Sequence, residues 1–121
     1  MSTCIFCKIA AGEIPAEIVH ESETAVAFRD TKPAAATHVL VVPRDHHESA
    51  PAMALVDAQG LADLFAAVGE VAHAEGLTDS GYRVLTNVGH DAGQEVAHLH
   101  LHLVGGEPLG PLLIERPAGE R

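Results

Sequence analysis

The chain has no tryptophan, one tyrosine and three phenylalanines among its 121 residues. A core cannot be built on large rings from so few, so it is expected to be aliphatic. The 20 alanines then let the packed elements approach closely. Basic residues are also scarce. Lys and Arg total 7 against 17 Asp and Glu, a formal net charge of −10. Affinity for a nucleic-acid polymer or an anionic membrane surface comes mostly from Lys and Arg, so neither is an expected partner. No apolar run reaches the ~18 residues of a membrane span. The start, Met-Ser-Thr-Cys-Ile-Phe-Cys, lacks a basic leader followed by a long apolar stretch, so no secretory signal is expected and the expected location is cytoplasmic. There Cys4 and Cys7 are expected to be reduced unless a metal holds them.

Hydrophobic residues make up 47% of the chain, enough for a packed core, and the length fits one domain over residues 1–121. Cys4–Gly12 has helical spacing and stops at a glycine, which reads as a short N-terminal helix. Ile18–Glu21 and Thr24–Arg29 read as strands, with Ser22-Glu23 as the turn. His38–Pro43 is a β-branched run ended by proline, the mark of a buried strand. Asp45–Pro51 reads as polar and irregular. The clearest element is one long helix. Asp57 is its N-cap, Leu61, Leu64, Phe65, Val68 and Val71 are its apolar stripe, and Gly76 is its stop. Tyr82–Val88 and Glu95–Val104 read as the last two strands, joined through Gly89–Gly93. From about residue 106 to 121 the chain reads as an extended tail. The expected class is α+β, with a five-stranded antiparallel sheet.

Nine histidines stand out in a chain this short. Three lie in His98-Leu-His100-Leu-His102-Leu-Val104. In a strand, alternate side chains share a face, so the imidazoles are expected on one exposed face and the leucines in the core. Such a row serves either metal ligation or nucleophilic and acid–base chemistry. The loop before it, Asn87-Val-Gly-His-Asp-Ala-Gly93-Gln94-Glu95, could turn backbone N–H groups toward an anion, which favours the second use. Cys4-x-x-Cys7 has the spacing of half a zinc site. Redox chemistry would want that motif after a strand, and unliganded thiols remain a further reading. His20 and His73 read as surface residues.

The sequence resembles the histidine-triad family, whose pattern is His-φ-His-φ-His-φ-φ with φ apolar. Ile5-Phe-Cys-Lys-Ile9, Gly12-Glu-Ile-Pro15, Phe28-Arg-Asp30, Thr37-His38, Val41-Val-Pro43, Asn87 and Gly93-Gln94 also fall in family order. The likeness is greatest to the nucleotide-binding branch. It implies the histidine-triad fold, a homodimer, and hydrolysis of purine nucleoside phosphoramidates or acyl-nucleotides through a nucleotidyl-histidine intermediate. Dinucleoside polyphosphate hydrolysis and non-catalytic nucleotide binding are the alternatives.

By resemblance, His100 is the nucleophile, His102 a phosphate contact, and His38 a fourth histidine that orients His100. Asn87, Gly93, Gln94 and Glu95 would meet the phosphate and leaving group, and Asp30 the ribose. Phe6, Ile9, Ile14 and Phe28 would line the base cleft. Relatives with Cys-x-x-Cys complete a structural zinc site with the equivalents of His46 and His98, with His47 adjacent to the first. No organic cofactor is implied. Glu95 stands where some members carry serine, and Glu107 where a basic residue is frequent.

Overall fold

The computed structural model describes residues 3–114. Five strands form one antiparallel sheet: β1 (Ile18–Glu21), β2 (Ala25–Arg29), β3 (Thr37–Pro43), β4 (Tyr82–Leu85) and β5 (Leu101–Gly105). Their spatial order is β1-β2-β3-β5-β4. Among the described residues three α-helices accompany them: α1 (Ile5–Ala10), α2 (Ala50–Val56) and α3 (Ala58–Ala74). No helix among the described residues is long and apolar enough to cross a membrane.

The central strands are buried on both faces, and the period of two sorts their side chains. Ala25, Ala27, Val39, Val41, Leu101 and Leu103 face one way and pack with Leu64, Val68 and Val71 of α3. Val26, Phe28, Leu40 and Val42 face the other way and pack with Phe6 and Ile9 of α1. His38 and His102 fall on this second side. His38 pairs with Val104, and Leu40 with His102, in the β3–β5 register. The aliphatic core expected from composition is present, and each fully buried Val or Leu contributes roughly 1.5–3 kcal/mol.

Asp57 caps α3 as expected, accepting from the Gly60 N–H at 2.9 Å. Its own N–H also closes α2, donating to Met53 O at 2.7 Å. Helix α2 lies partly in the stretch read as irregular. Its start was marked, because Ser49 accepts from Ala52 N–H and Pro51 sits in the first turn. Phe65 departs from the expected stripe and is 48% exposed, since Leu64, Ala67, Val68, Val71 and Ala72 form the buried face. Strand β4 stops at Leu85 rather than Val88.

The larger correction concerns the last strand, which begins at Leu101 rather than Glu95. Residues 98–100 bond elsewhere: Leu99 N–H donates to His47 O at 2.6 Å, and the His98 ring donates to Pro43 O. The triad therefore does not lie along one exposed strand face. His98 is fully buried and His100 nearly so, each meeting the Phe6 ring of α1 edge-on. The expected tail carries no helix or strand over 106–114 and is held where Arg83 donates to Gly110 O at 2.8 Å. The rest of that expectation, residues 115–121, lies outside the described residues.

Candidate active site

A cavity of about 640 Å³ opens on the α1 side of the sheet. Phe6, Ile9, Ile14 and Phe28 line its apolar end; Asp30, Asn87, Gly93, Glu95, His100 and His102 line the polar remainder. Of the residues expected to meet substrate, only Gln94 is absent from the lining. Its amide is spent on the loop instead, donating to Glu48 O at 2.8 Å and Val96 O at 3.1 Å and accepting from Gly89 N–H at 2.8 Å. Sequence reasoning missed Leu40 and Val96 in the wall. The alternation of β3, which puts Leu40 on the His38 face, could have found the first.

The hydrogen bonds fix the protons on the imidazoles. His100 Nδ1–H donates to the carbonyl of His98 at 2.8 Å, because a carbonyl can only accept. The lone pair of a neutral His100 is then on Nε2. Ala34 N–H donates to His38 Nδ1 at 3.0 Å, so the His38 proton is on Nε2. That atom donates to His102 Nδ1 at 2.9 Å, which places the proton of a neutral His102 on Nε2. The expectation that His38 orients His100 is thus corrected: His38 bonds to His102, and the His98 carbonyl orients His100. A backbone carbonyl and a backbone N–H carry these assignments, and neither leaves a mark in side-chain sequence.

Burial, then the nearby His100 and His38, lowers the His102 pKa to about 4, against an upward pull from Asp30. His102 is therefore a neutral single donor at neutral pH. Asp30 Oδ2 lies 3.5 Å from His38 Nε2. The ring of Phe6 meets His100 edge-on at 5.0 Å and Phe28 at 5.5 Å, so it serves both core and cavity wall. The loop before the triad differs from expectation. The N–H groups of Gly89, Gly93 and Gln94 are taken by Gln94 Oε1, His90 O and Gly89 O, so they do not face an anion.

His98 points away from this cavity. Its Nε2–H donates to Pro43 O at 2.9 Å, leaving Nδ1 bare toward Cys4 Sγ at 3.3 Å and Cys7 Sγ at 3.4 Å. His46 Nδ1 is 3.3 Å from Cys7 Sγ. These four ligand atoms lie within 4.8 Å of one another, close enough to hold one metal ion; His47 is not among them. Burial lowers the His98 pKa, opposed by its bond to Pro43, which favours the neutral ring that a metal requires.

Two sites thus share one His-x-His-x-His run, and comparison with known proteins gives the pattern its family. The HIT domain model matches residues 11–109. The chain belongs to the HIT, or histidine-triad, family. It is 38% identical over 112 residues to an Escherichia coli K12 protein named purine nucleoside phosphoramidase, covering 93% of this chain and 94% of that one. It is 47% identical to protein HitA of Neisseria gonorrhoeae over 105 residues, 87% of this chain and 97% of the relative. Among solved structures, a HIT family hydrolase from Clostridium thermocellum superposes with a TM-score of 0.88 at 41% identity, covering 94% of this chain and 99% of that one. A histidine triad protein from Clostridium difficile gives 0.87 at 39% identity, with 92% and 96% covered. These relatives support hydrolase activity for this HIT protein.

Proposed function

We propose that this HIT protein hydrolyses purine nucleoside 5′-phosphoramidates or acyl-nucleotides, with His100 as covalent nucleophile. The observation that carries the reading is the His100–His98 hydrogen bond, which leaves the Nε2 lone pair for attack. The base would occupy the apolar end of the cavity, and Asp30 would accept from the ribose hydroxyls. His100 Nε2 attacks the α-phosphorus and the P–N bond breaks. The amine departs with one added proton. Water then attacks phosphorus, loses one proton, and frees the imidazole. His102 Nε2–H and the Asn87 side chain serve as donors to the phosphoryl oxygens, where charge develops.

Cys4, Cys7, His46 and His98 would hold zinc, whose contribution is structural: it ties α1 to the segment entering β5. The donor set fits, since two sulfurs and two imidazole nitrogens converge and His98 is fixed in the required tautomer. No organic cofactor is needed. We take residues 1–121 as one HIT domain that works as a cytoplasmic homodimer. Exposed Phe65 on α3, and Tyr82 and Leu85 on the edge strand β4, support pairing of two copies.

Rates on an adenosine 5′-phosphoramidate and on diadenosine tetraphosphate, measured side by side, test the activity. The reading expects clear turnover of the first and much slower turnover of the second. Faster cleavage of the polyphosphate moves the protein to the alternative substrate class. Nucleotide binding with no turnover of either makes it a binding module.

A further inference from the structure

The cavity that ends on His100 has a charge balance that the triad does not explain. Its charged lining residues are Glu17, Arg29, Asp30, Lys32 and Glu95. Arg29 is already committed, with Nη1 and Nη2 on Glu75 at 2.7 and 3.1 Å and Nε on Glu17 at 2.8 Å. One guanidinium shared by Glu17 and Glu75 leaves one of those two negative charges uncompensated. Asp30 accepts from the backbone of Lys32 at 2.8 Å and approaches His38. Lys32 is then the one cation of the lining not paired to a carboxylate among the described residues. Glu95 makes no hydrogen bond or ion pair among the described residues. Its loop is nonetheless fixed, because the neighbouring Gln94 amide bonds the chain at Gly89, Val96 and Glu48. A carboxylate that is exposed and unpaired among the described residues therefore stands at the wall of a site proposed for a phosphate ester.

The nucleoside end is claimed by the apolar wall and Asp30. Segment 87–96, which supplies Asn87, Gly93 and Glu95 beside the histidines, is left to meet the departing group. We propose that Glu95 selects the leaving group by charge. The site takes phosphoramidates whose leaving amine carries a second, protonated amino group, and discriminates against anionic leaving groups, polyphosphates included. This inference rests on the phosphoramidase reading above. Glu95 acts as a fixed charge: the bond that breaks is still P–N, and the proton gained by the amine does not come from Glu95. Charges several ångströms apart in an open, hydrated mouth interact modestly. The expected effect is on the order of 10-fold between a cationic and an anionic leaving group, shrinking as salt rises.

The test uses three adenosine 5′-phosphoramidates of similar chain length, made with 1,3-diaminopropane, butylamine and β-alanine. Their kcat/KM values are measured for the wild-type, Glu95→Gln and Glu95→Lys proteins at low and high ionic strength. The cationic-to-anionic ratio cancels any general loss from folding or positioning. It is expected near 10 in the wild type, near unity in Glu95→Gln, and inverted in Glu95→Lys. A flat wild-type ratio, or one unchanged in both variants, overturns the inference while the phosphoramidase reading stands. Failure to turn over any of the three substrates overturns both.

Discussion

The Nδ1–H of His100 donates to the backbone carbonyl of His98 across 2.8 Å, and through this bond the two histidine sites of the molecule meet at one residue. The ring of His98 faces Cys4 and Cys7 while its carbonyl fixes the proton of His100. His98, expected from the resemblance as a zinc ligand, thus also supports the catalytic row from behind through its carbonyl.

Removal of metal should therefore loosen the fold first and slow catalysis second. Purified protein is expected to contain about one zinc per chain, by elemental analysis. Cys4→Ser with Cys7→Ser should abolish the zinc and lower the melting temperature by several degrees, roughly 2 kcal/mol or more. Turnover should drop less than in a His100 variant. Metal content that survives both substitutions would place the ion on other residues.

His38 should act through His102. In His38→Ala the Nδ1 atom of His102 loses its donor, and the ring is free to carry its proton on the wrong nitrogen. The expected result is a kcat loss of about 10–100-fold with little change in KM. His38→Gln, whose amide nitrogen can donate from a similar place, should recover part of that loss. Nitrogen NMR of His102 should report the tautomer change in the alanine variant. A rise in KM alone would mean that His38 only shapes the pocket.

Acid should destabilise the fold through the same ring. The folded pKa of His102 is lowered to about 4, below the ordinary 6.5. Between these values the unfolded chain binds more protons, so stability rises with pH across the window. The stabilisation is complete above 6.5 and is lost as pH falls toward 4. With solvent screening at a half-buried ring, the loss is about 1–2 kcal/mol. Melting curves from pH 7 to 4.5 should show a steeper decline for the wild type than for His102→Asn. Parallel declines would remove His102 as the cause.

Much of the fold was legible because its signals are local. The run His38–Pro43 marked β3, Asp57 marked the start of α3, and the histidine spacing marked the site. The start of β5 was not legible. Alternation in His98–Val104 looks like strand throughout, yet the His98 ring bonds to Pro43 O and the Leu99 N–H to His47 O, both distant in sequence. Phe65 misled for a similar reason: it is helical and apolar but lies off the packed face. Gln94 sat among pocket residues in sequence and proved to be the fastener of their loop.

The claim on which the rest depends is that His100 Nε2 forms a bond to phosphorus. A rapid acid-free quench of the enzyme with an adenosine 5′-phosphoramidate, followed by peptide mass spectrometry, reads it directly. The account predicts an adenylyl group on His100 that is absent in His100→Ala and decays as nucleoside monophosphate appears. Turnover retained by His100→Ala, or an adduct found on His38, His98 or His102 instead, would contradict it.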